Sequence, residues 1–345
     1  MTAQASNDRA RHVRQRLAQR LRRGVLLGAI GALAAGYWVA SRSRPADAIA
    51  DSTPPATLPP GRTLRVPGRG EMFFRETPGP RTDAPTVALL HGWMFPGDLH
   101  FAQVAPALND HARVIVPDHR GHGRGARPAA PFRLVDVADD VAELLRRTDA
   151  GPAVLVGYSL GGPVALLTWQ RHPDLVRGLV LCATSATFAE DRLHRLAWRL
   201  MGALQLGLRL LPRHYLEALL LRQTEGRLPF PITRMIHEDT PPEAVERLPW
   251  FVGEFDRDSP EDVAEAGREL GRFDARGWVP TIDVPTAVVV TTRDRLVPPR
   301  LQRGLAALVP DALVRELDAD HDVIVADPQW LGEAISAVME DLGLV

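Results

Sequence analysis

From residue 62 onward, apolar positions along the chain follow two alternating rhythms. Short apolar, β-branched runs recur at 85–90, 112–116, 153–156, 178–181, 286–291 and 313–317. Runs of that length and composition read as buried strands. Between them lie stretches of helical spacing. Leu134, Val137, Val141 and Leu145 line one side of residues 132–147, with acids opposite. Further helical runs open at Leu160, Pro299 and Pro328. A strand pair at 63–66 and 71–75, separated by Pro67-Gly68-Arg69-Gly70, precedes them all. Strands alternating with helices imply a parallel sheet with right-handed crossovers.

The alternation lapses between about residues 186 and 280. Long helical patterns take over there, at 192–211 and 259–273. Periodicity of that length is too regular for a loop. The segment is expected to form a helical cap over the carboxyl edge of the sheet, where open α/β sheets bind ligands. Leu193, Leu196, Leu200, Leu204, Leu208 and Leu211 recur at helical spacing, with Arg192, Arg195 and Arg199 beside them. That stripe either packs onto the sheet or offers an interfacial surface that admits lipid esters.

The first 61 residues have a different character. Seven arginines between Arg9 and Arg23 face a single acid, Asp8, and an uncharged run then covers residues 24–40, with Tyr37 and Trp38 near its end. The run just suffices for a spanning helix, with the arginines on the cytoplasmic side. The expectation is a membrane anchor with the catalytic domain on the non-cytoplasmic side. A cleaved export signal and a buried or interfacial helix are the alternatives. Arg42 and Arg44 weaken the topological argument by placing charge on the far side as well. Residues 45–61 contain Pro45, Pro54, Pro55, Pro59 and Pro60 and read as a semi-rigid linker. The organisation expected is thus residues 1–44 as anchor or signal, 45–61 as linker, and 62–345 as one domain with its cap.

Composition narrows the function. The net charge of −1 argues against a nucleic-acid partner. All 41 basic residues are arginine, which reads as codon bias because no single binding role explains it in every segment. The one cysteine, Cys182, excludes an internal disulfide and a Cys-rich metal site. It lies in the apolar run 178–182, as a buried inert thiol would.

The chemistry centres on Gly157-Tyr158-Ser159-Leu160-Gly161. A serine hydroxyl is a weak nucleophile unless it is sharply placed and its proton is taken by a base. Here a strand feeds directly into a helix, and small residues on either side of Ser159 let the two pass closely. The amide of Leu160 would open the helix as one donor to an oxyanion. Trp93, after the strand ending at His91-Gly92, would supply the second. The base should come late in the chain. His321, in Asp318-Ala319-Asp320-His321-Asp322, follows the last predicted strand. Asp294 stands just past the strand 286–291 and would orient the imidazole, with Asp320 and Asp322 as competitors by sequence. His91 precedes the serine and reads as a structural hydrogen-bonder.

The segments His91-Gly92-Trp93, Asp118-His119-Arg120-Gly121-His122-Gly123, Gly157 to Gly162, Arg293-Asp294 and Asp320-His321-Asp322 together resemble the α/β-hydrolase superfamily over residues 62–345. The resemblance implies a mostly parallel eight-stranded sheet flanked by helices. It also implies a Ser159–Asp294–His321 triad with Trp93 and Leu160 as oxyanion-hole residues, and no cofactor or metal. Asp320 departs from the family, many of whose members have glycine before the histidine. Serine as nucleophile excludes the branches that use aspartate. The function expected is hydrolysis of carboxylic esters of a hydrophobic small molecule or lipid. Carbon–carbon bond hydrolysis, acyl transfer and a non-catalytic binding role are the alternatives. Oligomeric state is not legible in the sequence.

Overall fold

The paired strands Gly61–Val66 (β1) and Gly70–Thr77 (β2) turn through Gly68 and Gly70, whose φ angles of 77° and 99° favour glycine. The computed structural model describes residues 58–190 and 260–345, with residues 192, 196, 198, 250, 253, 254, 257 and 258 between them. The strands that follow are Thr86–Leu90 (β3), Arg113–Pro117 (β4), Ala153–Tyr158 (β5), Val176–Cys182 (β6), Thr286–Thr291 (β7) and Leu313–Leu317 (β8). They form one eight-stranded sheet in the order β1-β2-β4-β3-β5-β6-β7-β8. β1 and β2 pair antiparallel, as do β2 and β4; every other neighbour is parallel. β3, β5 and β7 are buried at every position, which explains why they read as unbroken apolar runs.

The helices are Gly97–Phe101 (α1), Leu134–Arg147 (α2), Gly161–Arg171 (α3), Pro260–Leu270 (α4), Pro299–Leu308 (α5), Val323–Ala326 (α6) and Pro328–Asp341 (α7). Leu145 of α2, Val164 of α3 and Leu305 of α5 pack against one face of the sheet. Phe101 of α1 and Leu331, Ile335 and Val338 of α7 pack against the other. The apolar stripe of α2 is therefore the buried one, as its spacing predicts. One acid departs from the expected solvated side. Asp140 is buried and takes both Arg120 nitrogens at 2.6 Å, because a buried carboxylate must be paired.

Chain order places the site. From β3 the chain moves outward to β4, then returns to β5 on the other side of β3, so the two central strands diverge in their connections. Such a switch point leaves a crevice at the carboxyl ends of the strands. A buried ionic chain holds the loop that borders it. Arg75 grips Asp98 through two 2.7 Å bonds, and Arg124 links Asp98 to Glu254. Burial and the neighbouring Asp98 push the Asp118 carboxyl up to about 7, although it accepts the amides of Gly97 and Arg124, both at 2.8 Å.

The expected membrane anchor needs correction. Among the described residues, no helix is long and apolar enough to cross a membrane. The membrane and transmembrane readings, the membrane partner and the anchored localisation are therefore withdrawn. The run 24–40 that prompted them lies outside the described residues, as do most of the linker and the stripe at 192–211. Seventeen uncharged residues sit at the lower limit for a span, where a short apolar run has other fates. Of the expected cap, α4 and a few residues around it are described.

The tightest packing lies where α3 passes β3. A Cβ at Gly161 would stand 1.9 Å from the Leu90 carbonyl oxygen and 2.6 Å from its carbon. Both are backbone atoms and cannot step aside. Gly161→Ala is expected to lose about 3 kcal/mol of stability through overpacking, read as the shift in a urea or thermal midpoint. An unchanged midpoint would contradict this close approach.

Candidate active site

Ser159 sits between the last residue of β5 and the first turn of α3, with φ at 54°. Few non-glycine residues hold that conformation, and here the surroundings impose it. Its amide donates to the Cys182 carbonyl at 3.0 Å, while its own carbonyl accepts from Gly162 N at 2.9 Å and Thr184 Oγ1 at 2.7 Å. The backbone is fixed on both sides, and the side chain is aimed past the strand end. Ser159 is 5% exposed.

His321 lies in the loop between β8 and α6. Its Nε2 is 3.1 Å from Ser159 Oγ and its Nδ1 is 2.8 Å from Asp294 Oδ2. A carboxylate only accepts, so Nδ1 carries the proton and the Nε2 lone pair faces the serine hydroxyl. The Tyr158 hydroxyl donates to the His321 carbonyl, tying the His321 loop to the strand that leads into Ser159.

Asp294, in the loop after β7, is almost completely surrounded by donors. Oδ1 accepts from the amides of Leu296 at 2.8 Å and Val297 at 2.7 Å. Oδ2 accepts from Thr291 Oγ1 at 2.9 Å and Gln302 Nε2 at 3.0 Å, besides His321. So many donors fix the direction of the buried carboxylate. Burial alone would lower the pKa of His321. The carboxylates of Asp294, Asp320 and Asp322 outweigh that, and it is raised.

The oxyanion-loop candidates meet at the same edge. β3 ends at Leu90, and its register pairs Leu90 with Gly157 of β5, so the segment after β3 runs beside Ser159. A Cβ on Gly92 would stand 3.3 Å from Ser159 Cβ and 2.9 Å from His100 Cε1. The Gly92 amide donates to His100 Nδ1 at 3.0 Å. Trp93 follows, and its indole donates to the Val263 carbonyl of α4 at 2.7 Å. Leu160 caps α3 at its amino end, where helix amides are unpaired.

All five residues picked from the sequence thus lie at one end of the sheet. The competing residues go elsewhere. His91 accepts from the His119 amide at 2.9 Å and faces its own loop. Asp320 does not face the imidazole nitrogens but accepts the amides of His321 and Arg295. Cys182 is buried at the end of β6, and burial pushes its thiol up.

Sequence reasoning overlooked Tyr158, Thr291, Gln302 and His100. Two of these carried a signal. A phenol inside an apolar strand needs a partner when buried. Gln302 stands at helical spacing from Leu305 and Ala306 on the inward side of α5, where a polar residue needs a reason.

Comparison with known proteins agrees with this architecture. A family model for the alpha/beta hydrolase fold matches residues 85–328. The chain is 34% identical over 272 residues to a pimeloyl-[acyl-carrier protein] methyl ester esterase of Chromobacterium violaceum, covering 78% of this chain and 98% of that protein. It is 26% identical over 227 residues to 3-oxoadipate enol-lactonase 2 of Acinetobacter baylyi, covering 66% and 78% respectively. Among solved structures, a hydrolase from Pseudomonas aeruginosa PA01 aligns with a TM-score of 0.64 at 25% identity, over 81% of this chain and 98% of that one. With the family model spanning residues 85–328 and an esterase relative matched along nearly its whole length, the chain belongs to the alpha/beta hydrolase family, as an enzyme of its esterase-like branch.

Proposed function

We propose that this enzyme cleaves carboxylic esters through Ser159 as nucleophile, His321 as general base and acid, and Asp294 as the group that orients the imidazole. The observation that carries the reading is the hydrogen-bonded chain from Ser159 Oγ through His321 to Asp294, at 3.1 and 2.8 Å. Ser159 Oγ attacks the ester carbonyl carbon while His321 Nε2 takes its proton. The carbonyl oxygen becomes an oxyanion, which the amides of Trp93 and Leu160 receive. The carbon–oxygen bond to the leaving alcohol then breaks as His321 returns the proton to it, leaving an acyl-serine. Water attacks that acyl group with His321 again as base, releasing the carboxylic acid and restoring the serine. Asp294 stabilises the imidazolium in both steps.

The substrate we propose is an ester with a hydrophobic acyl part. Segment 186–280 would cap the site, which fits the Trp93–Val263 bond between the oxyanion loop and α4. The relative from Chromobacterium violaceum is named for a pimeloyl methyl ester, so methyl esters of medium-length acids are the first compounds to test. Long-chain lipid esters form the other arm of the same panel.

Ser159→Ala is expected to lose roughly ten-thousand-fold in kcat on p-nitrophenyl esters and to abolish fluorophosphonate labelling. Labelling that persists in Ser159→Ala would defeat the assignment. Asp294→Asn should lose about a thousandfold, with a lowered thermal midpoint as well, because its amide N–H groups would face buried donors. The pH dependence follows from the sign of the His321 shift. His321 must be neutral to accept the serine proton, and its pKa is raised. Activity should therefore fall as pH drops through a midpoint above the ordinary histidine value of about 6.5. A kcat/KM profile with its acid limb below that value would contradict the placement of His321 among three carboxylates.

A further inference from the structure

β7 and β8 do not part company where their strands end. Their last ladder pair is Thr291 with Leu317, and two more backbone bonds follow: Thr292 N to Leu317 O at 2.8 Å and Arg293 N to Ala319 O at 2.9 Å. The next amide in line is that of Arg295, one residue past Asp294. Asp320 Oδ1 accepts it at 2.9 Å, and the same oxygen accepts the His321 amide at 2.7 Å. Asp320 Oδ2 accepts from the Arg295 guanidinium. One carboxylate therefore takes an amide from the residue after the triad acid and an amide from the triad base itself.

We infer that Asp320 is a positioning residue, a clasp that joins the loop of Asp294 to the loop of His321 and sets the imidazole between acid and nucleophile. The inference rests on the proposed base role of His321. The Arg295 side chain is 58% exposed and its ion pair counts for little, whereas the Asp320 side chain is 11% exposed and its amide bonds are shielded. The groups facing His321 are Asp294 from the β7 loop, Ser159 and Tyr158 from the end of β5, His100 from α1, and Asp320 and Asp322 from its own loop. Asp320 thus adds negative charge beside the base as well as holding its backbone, and Arg295 offsets that charge.

Three variants separate these effects, each read as a kcat and kcat/KM pH profile with a thermal melt. Asp320→Asn keeps an oxygen for both amides but removes the charge. Its acid limb should move to lower pH by about half a unit, with kcat at the plateau retained within a few fold. Asp320→Gly removes the clasp too, and its plateau kcat should fall by about tenfold as the imidazole loses its fixed position. Arg295→Ala keeps its backbone amide and removes the opposing charge, so its acid limb should move the other way, to higher pH. A purely structural aspartate would lower the melting temperature and kcat without shifts of opposite sign. Should Asp320→Gly fail to fold, Asp320→Ala, which removes the same oxygen at a lower backbone cost, makes the same test, and a retained plateau kcat there overturns the clasp. His321→Ala is the reference for the underlying reading: retained turnover there would remove the base and the clasp together. Loss of turnover in His321→Ala, with the plateau kcat of Asp320→Gly retained, would overturn the clasp alone.

Discussion

The site depends on how closely the first turn of α3 can lie against the end of β3. Gly157 and Gly161 flank Ser159, and a side chain at either would run into backbone, at 2.4 Å and 1.9 Å respectively. That approach brings the segment after Leu90 beside Ser159, and with it Gly92 and Trp93. It also sets Leu160, at the amino end of α3, at the same edge. Ser159 and Trp93 follow different strands and are brought together by missing side chains. The parallel sheet then brings the other two loops to the same edge, because β7 and β8 run in the same direction as β5.

Much of this was legible in the chain. Each strand of the central sheet announced itself as an apolar run, because parallel strands are buried on both faces and carry no alternation. Ser159, His321 and Asp294 were found by their places after strands. That logic works because loops at one edge of a parallel sheet share a direction. What escaped was what depends on contact rather than pattern. The pairing of Asp140 with Arg120 looks like an exposed helix face until the loop carrying Arg120 folds onto it. Gln302 is eleven residues from the strand end it serves, and its partners are set by how α5 lies. Asp320 was identified as a departure before its histidine, but its bonds run to an amide twenty-five residues earlier. The membrane reading failed for another reason: it rested on one short run, residues 24–40, at the lower length limit for a span.

Burial by itself does not decide what a histidine does here. His100, His119 and His321 are all removed from water, and in each case that loss disfavours the imidazolium. His100 and His119 have other imidazoles for neighbours and are driven well below the ordinary range. A permanently neutral His100 keeps its Nδ1 lone pair for the Gly92 amide. His321 has three carboxylates nearby and is driven upward. One interior thus drives the same side chain in opposite directions, according to the placement of acids.

The backbone of Ser159 has a further implication. At φ 54° a serine pays a conformational penalty of about 1 kcal/mol that a glycine would avoid. The folded state is therefore weakened at the very position where chemistry is proposed to begin. If Ser159 is the attacking group, stability and turnover pull against each other at this residue, and a descendant freed from turnover would gain stability by exchanging the serine for glycine. Alanine would bring no such relief, because the cost lies in the Cβ and not in the hydroxyl.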